Sequence, residues 1–239
     1  MKQIFVVLFI VMIPMIGHTE CISGNCQDGL GTFELPDGHK YEGAWQEGKP
    51  SGYGRAILPN GNKYIGEFFE GAWRGHGAEI YPDGRKYIGE FDGSKYNGEG
   101  TIVTPYGDTY TGQFTDGEPD GTGKMVFKEG GFFVGVFEKG KVGNQGTLFT
   151  PKGLVYVGSF REEAFDGMGT MTWPDGRTYS GQWVKGEMQG KGTMLWPDKR
   201  ITTGSWQGGI LEGIGCEFDP KGLESCGLFQ KGKLVKAAK

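Results

Sequence analysis

The sequence predicts an all-β protein: an elongated, single-layer antiparallel β-meander of nine 23-residue hairpin repeats. Three observations carry that expectation. Glycine returns at Gly31, Gly54, Gly77, Gly100, Gly123, Gly146, Gly169, Gly192 and Gly215, with no insertion to break the period. A Pro-Asp-Gly type turn follows in most repeats. A second glycine then sits between two aromatic positions. Glycine accounts for 47 of 239 residues, against an average of about 7%. No Gly-X-Y period is present, which excludes collagen. An aromatic content of 13% separates the chain from disordered, low-complexity sequence.

In chain order, residues 1–19 read as a secretory signal peptide. Lys2 forms a short charged start, and Ile4 to Ile16 is an apolar run too short to span a bilayer comfortably. Pro14 weakens that run as a helix. Cleavage is expected near Gly17-His18-Thr19; an uncleaved anchor is the competing reading. Residues 20–30 look like a partial repeat, the closing loop of a lost hairpin. The nine repeats occupy 31–232, and 233–239 is a basic C-terminal tail read as solvated.

Each repeat, numbered 1 to 23, reads as a β-hairpin. Position 6 is Pro in eight of nine repeats, Lys128 being the exception, and position 8 is Gly except at Lys199. Pro pre-sets φ for a turn, Asp or Asn suits the next place, and Gly takes the left-handed one. This is a three-residue hairpin loop with a glycine bulge. If positions 6 to 8 form the loop, facing positions sum to 14. Gly at 1 then faces Gly at 13, and position 3 faces the usual Tyr at 11. Positions 11, 13 and 15 share one face. The aromatic core expected there comprises Tyr41, Trp45, Tyr64, Phe68, Tyr87, Phe91, Tyr110, Phe114, Tyr156, Phe160, Tyr179, Trp183 and Trp206. The glycines either leave room for these rings or relieve crowding in a strongly twisted strand. Two strands per repeat at about 4.8 Å suggest a ribbon of roughly 85 Å.

Four cysteines lie at the chain ends: Cys21, Cys26, Cys216 and Cys226. An even count in an exported chain reads as disulfides. The spacings match no common zinc pattern, and the one nearby His, His18, falls in the segment expected to be cleaved. Cys216 and Cys226 occupy positions 2 and 12, so they face each other across the last hairpin. Cys21 and Cys26 close a short loop at the other end. Both terminal repeats, which lack one neighbour, are thereby capped.

The spacing Gly-x-Tyr/Phe-x-Gly-x-Trp/Phe with a Pro-Asp-Gly turn resembles the MORN (membrane occupation and recognition nexus) repeat family. YEGAWQEGKPSGYG at 41–54 and YSGQWVKGEMQGKG at 179–192 carry the likeness. It covers 31 to about 232. The resemblance implies an all-β meander used in scaffolding, protein–protein contact and membrane attachment. Repeat five departs from the pattern (Lys128, Glu129, Phe133, Asn144). So do Glu163, Lys199, Thr202 and Ser225. These departures mark a bend near 123–168 or a partner site.

No enzyme is expected. His18, His39 and His76 form no triad-like grouping with Ser, Cys or Asp, and P-loop and kinase motifs are missing. No cofactor or metal is expected: Asp37, Asp83, Asp175 and Asp198 at the turn tips suit the turn better than they suit calcium. With a net charge of −4 and no basic stripe, nucleic acid is excluded as a partner. The function expected is a non-catalytic exported scaffold, secreted or periplasmic, that binds another protein or itself. Trp173, Trp196, Tyr81 and Phe127 at position 5 form its candidate partner surface. The alternative is a peripheral phospholipid-binding protein using Lys40, Lys63, Arg85 and Lys86. A glycan-binding or hydrolytic surface protein is a further alternative.

Overall fold

The computed structural model describes residues 20–238. The expected signal peptide, 1–19, lies outside the described residues. These contain only strands and turns, and they fall into two compact units that meet between Lys128 and Glu129. That boundary falls in the one turn that lacks proline at position 6.

The first unit contains ten strands: β1 (Glu20–Gly24), β2 (Gly29–Glu34), β3 (Lys40–Gln46), β4 (Lys49–Ile57), β5 (Lys63–Phe69), β6 (Ala72–Ile80), β7 (Lys86–Asp92), β8 (Lys95–Val103), β9 (Thr109–Thr115) and β10 (Glu118–Val126). The second contains β11 (Phe132–Glu138), β12 (Lys141–Phe149), β13 (Val155–Arg161), β14 (Ala164–Thr172), β15 (Thr178–Val184), β16 (Glu187–Leu195), β17 (Ile201–Gln207), β18 (Ile210–Phe218), β19 (Glu224–Gln230) and β20 (Lys233–Ala237). Within each unit every strand pairs antiparallel with its sequence neighbour. The span expected to be a basic tail thus begins with a paired strand, β20.

Register follows the glycines. Gly31 faces Gly43, and Gly43 also faces Gly54 on its other side. The Pro-containing loop is closed as expected: Leu35 N–H donates to the His39 carbonyl at 2.8 Å, and Gly38 N–H to Leu35 at 2.9 Å. The Asp at position 7 serves this turn. Asp37 Oδ1 accepts from His39 N–H at 3.0 Å, and Asp83, Asp175 and Asp198 repeat the contact to Arg85, Arg177 and Arg200.

The second turn of each repeat has two residues with positive φ, such as Glu47 (52°) and Gly48 (73°). Such mirror-image turns match the twist of the flanking strands. Where the second turn residue is not glycine, Ser94 and Glu163 both adopt φ 65°. Lys199, replacing the glycine of a first turn, sits at φ 70°. A bulge follows. Gly43 pairs Gly54 and Trp45 pairs Pro50, so three residues, Ser51 to Tyr53, oppose Ala44 alone. The same irregularity recurs in β5–β6, β7–β8 and β13–β14. Bulges of this kind bend and twist a strand.

The core is a row of rings over the paired glycines. Tyr64 meets Phe68 of its own repeat and Phe91 of the next, each edge-on with centroids 5.0 Å apart. Tyr87 does the same with Phe91 and Phe114 at 5.1 Å. All thirteen aromatics expected in the core are buried. The tyrosine hydroxyls are satisfied locally. Tyr41, Tyr64 and Tyr87 donate to the carbonyls of Ala44, Glu67 and Glu90 at 2.8–2.9 Å. Burial pushes the Tyr41, Tyr110, Tyr156 and Tyr179 phenols up to about 12.

Both ends are stapled. Cys21–Cys26 and Cys216–Cys226 are disulfides, with Cα separations of 5.9 and 4.0 Å. The second joins directly facing residues of β18 and β19.

The glycines have a steric role that can be measured. A Cβ on Gly77 would lie 2.5 Å from the Tyr64 hydroxyl oxygen and 2.6 Å from its ring. Gly77→Ala should therefore cost on the order of 3 kcal/mol, the upper range for overpacking a tight core, read as a fall in the urea midpoint. Gly77→Ala combined with Tyr64→Leu should recover part of the loss.

Candidate functional site

The ring-bearing face is closed along most of its length by position 20, which sequence reasoning missed. In β4, β6, β8, β14 and β18 this position holds Pro50, Trp73, Tyr96, Phe165 and Leu211, each facing the aromatic at 15. Trp73 lies flat on Tyr64 at 4.3 Å, and Tyr96 on Tyr87 at 3.7 Å. The signal was present in the alignment. Positions 15 and 20 sum to 35 across a two-residue turn, and position 20 is apolar or aromatic in every repeat.

A hollow opens in this face in the first unit. It is lined by Phe33, Leu35, Tyr41, Leu58, Phe68 and Trp73, with Pro50, Ala56 and His39 alongside. Its cause is a small residue in a large-residue column. Position 3 holds Phe33, Glu79, Ile102, Met125, Leu148, Met171, Met194 and Glu217 in the other repeats, but alanine at 56. Ala56 faces Tyr41 on one side and Tyr64 on the other. The missing side-chain volume leaves a gap between the Leu35 and Leu58 tips. His39 at the rim is held by Asp37, Nδ1 to Oδ2 at 3.0 Å.

The next repeat carries the opposite anomaly, an acid in the core. Glu79 is 5% exposed. Asn62 Nδ2 donates to its Oε1 at 3.0 Å, and the Tyr96 and Tyr81 hydroxyls lie 2.7 and 2.8 Å from its Oε2. Those two hydroxyls are 2.8 Å from each other. Two phenols bring two protons to three oxygen–oxygen contacts. A third proton, on Oε2 of a neutral Glu79, satisfies all three in a closed ring of hydrogen bonds. Burial raises the Glu79 pKa in the same direction, opposed by the Tyr96, Tyr81 and Asn62 contacts and by the charge of Arg85. Position 3 faces the core, so the acid at 79 was legible as buried; its partners were not.

The position-5 residues line the tip side of this ring-bearing face, and three of their rings lie under arginines. The Arg85 guanidinium lies 4.0 Å from the centre of the Tyr81 ring, and Arg177 and Arg200 lie 5.2 Å from those of Trp173 and Trp196. An aspartate pins each arginine at Nε: Asp83 at 2.9 Å, Asp175 at 2.8 Å and Asp198 at 2.7 Å. Trp196 also donates its indole N–H to Thr202 Oγ1 at 2.8 Å, filling the place of the missing position-11 ring. Trp173, Trp196 and Phe127 are half-buried. Tyr81 is committed to Glu79.

The lysines lie on the reverse face. Lys40, Ile57, Lys63, Ile80, Lys86 and Val103 follow one another across successive strands. Lys40 pairs with Glu34 at 3.5 Å; among the described residues Lys63 and Lys86 have no ion-pair partner. Arg85 does not belong to this row. It lies in the turn just before β7, where Asp83 holds it over the Tyr81 ring on the ring-bearing face.

A MORN repeat model matches residues 41–63, 64–84, 87–109, 110–132, 156–176, 179–199 and 203–224. The chain belongs to the MORN repeat family. The matches omit 133–155, which begins within the repeat that departs most from the pattern. No curated protein sequence matches the chain. Among solved structures, this MORN chain is similar to the wild-type TCP10 domain of Danio rerio CPAP in complex with a peptide of Danio rerio STIL. Identity is 13% over 93% of this chain and 98% of that one, with a TM-score of 0.53. The same domain without the peptide gives 14% identity, 87% and 99% coverage, and a TM-score of 0.50. These likenesses concern the fold.

Glu79 makes the stability of this MORN chain depend on pH. Its folded pKa lies above its unfolded value, so its stabilising contribution is complete below the ordinary carboxyl range. That contribution is lost as pH rises through the folded value. Urea midpoints measured from pH 4 to pH 8 should fall more steeply for the wild type than for Glu79→Gln, which stays neutral. Parallel curves would refute the neutral carboxyl.

Proposed function

We propose that this MORN protein is a non-catalytic scaffold that holds an extended segment of another protein against its ring-bearing face, at the hollow beside Ala56. The single observation behind this reading is that hollow. It is an apolar recess lined by Leu35 and Leu58 among the rings of the first unit, and apolar recesses with few polar groups are the usual form of binding sites. The complex of the similarly folded CPAP domain with a peptide gives the reading a precedent. The hydrogen-bonding of Glu79 is spent on Asn62, Tyr81 and Tyr96, which favours a binding role over acid–base chemistry. The two disulfides favour an oxidising compartment, and hence export. Trp173 and Trp196 remain secondary anchors, since each keeps an exposed part beside its arginine.

Ala56→Met tests the reading, because methionine fills the same column at Met125, Met171 and Met194 without harm to the fold. Peptides selected on the wild-type protein from a displayed random library should bind the variant at least tenfold more weakly, about 1.4 kcal/mol. The urea midpoint should be unchanged or raised. Equal binding by both proteins would remove the hollow as the site.

A second reading rests on the row of Lys40, Lys63 and Lys86 beside the exposed Ile65 and Ile88. Cations among aliphatic groups on one sheet face suit an anionic phospholipid surface, at about 1 kcal/mol per lysine near the membrane. Under this reading the chain should co-sediment with phosphatidylserine vesicles at low salt and be released at physiological salt. Lys63→Glu with Lys86→Glu should abolish the association. Recovery in the supernatant under all conditions would dismiss it.

A further inference from the structure

The reverse face of the second unit differs from that of the first in one respect: its two rows nearest the Pro-containing turns carry no charge, the charged Lys191, Glu138, Lys141, Arg161 and Glu187 lying towards the opposite strand ends. From Phe132 to Phe218, the row through Phe149, Val155, Leu195 and Ile201 contains no ionisable side chain. The adjacent row through Val134, Val157, Thr170 and Thr203 contains none either. In the first unit the equivalent rows carry Lys40, Arg55, Lys63, Lys86 and Lys124, with Glu34 and Glu42. Yet the second-unit face is well exposed, Val157 at 52% and Leu195 at 44%.

Most of its hydroxyls are paired across strands. Thr170 Oγ1 donates to Ser180 Oγ at 3.0 Å, the Thr193 and Thr203 hydroxyls are 3.0 Å apart, and those of Thr172 and Thr178 are 3.3 Å apart. Covering these hydroxyls therefore leaves them in partnership, and the usual penalty for burying an unpaired polar group is avoided. Size is adequate as well. Eight strands, β11 to β18, at about 4.8 Å span roughly 38 Å, and the two rows span roughly 13 Å. Two such stripes in contact bury on the order of 1,000 Å² in total, the threshold of a specific protein–protein interface.

We infer that this face packs against the same face of a second copy of the chain, sheet on sheet about a two-fold axis. A face that meets itself needs a charge pattern compatible with its own copy, and an uncharged one meets that need without like-charge contacts. Two aligned sheets stack about 10 Å apart with strands some 30° from parallel. The first unit's reverse face is barred from the same packing by its lysines and arginine. The inference concerns a different face from the hollow at Ala56 and stands independently of that reading.

Sedimentation equilibrium of the full chain tests it. The mass should approach twice that of the same chain in denaturant at concentrations of tens of micromolar. Val157→Lys with Ile201→Lys should give the monomer mass at the same concentration, with far-UV circular dichroism unchanged. Thr170→Lys, a single change at the centre of the face, carries the same expectation should the double variant not fold. Ile88→Lys, the same chemistry on the first unit, should leave the dimer intact, and so should Ala56→Met. A chain that is monomeric throughout overturns the inference, and flotation of that monomer with phosphatidylcholine vesicles would assign the face to lipid instead. A dimer that survives both sets of lysine changes overturns it too.

Discussion

The tyrosine ring lying across two facing glycines is the contact on which the rest depends. A meander without a second layer has nothing to pack against, so each repeat must bury its apolar groups within its own plane and against its neighbours. Glycine at positions 1 and 13 removes the side chains that would hold the ring off the backbone. The ring then lies flat enough to receive the position-15 aromatics of two repeats edge-on. Edge-to-face pairs of this kind add about 0.5–1.5 kcal/mol each beyond area burial, and they recur from Tyr41 through Tyr179. The same closeness lets the phenol reach a backbone carbonyl three residues on, so a buried hydroxyl costs nothing unpaired.

That contact accounts for the departures as well. Where position 11 is Thr202, the ring is missing, and Trp196 swings its indole N–H to the threonine hydroxyl. Where position 3 shrinks to Ala56, no neighbour moves in, and a hollow stays open. Where it becomes Glu79, an amide and two phenols gather around the carboxyl. The aromatic ladder tolerates one irregular side chain per repeat because each repeat contacts mainly its neighbours. Irregularities thus stay local, and the ring-bearing face collects its individual features without loss of register.

The two faces of the sheet divide the labour. Stability is concentrated on the ring side, including the hollow and the arginine-covered tips. The reverse side contributes little to the core and is free to differ between units: cationic and aliphatic in the first, with two uncharged, hydroxyl-laced rows in the second. Asp at the turn tips belongs to neither face. It holds the turn and, where arginine follows, positions a guanidinium over the position-5 ring.

Periodicity and turn chemistry determined the strands, the hairpin register, the face of every core aromatic and the facing of Cys216 and Cys226. These follow from local rules, since a strand alternates every two residues and a Pro-Asp-Gly loop has a defined length. The aliphatic and aromatic column at position 20 was equally legible, given a second pairing rule. What only the tertiary structure decided was the company each side chain keeps. Sequence placed Arg85 beside Lys86; its turn aspartate and the Tyr81 ring held it on the opposite face. Sequence placed Glu79 in the core; only the folded repeats brought Asn62, Tyr81 and Tyr96 to it from three different strands and turns. Spacing along the chain dictates direction, but contact between repeats depends on volumes summed across neighbours, and no single repeat contains that sum.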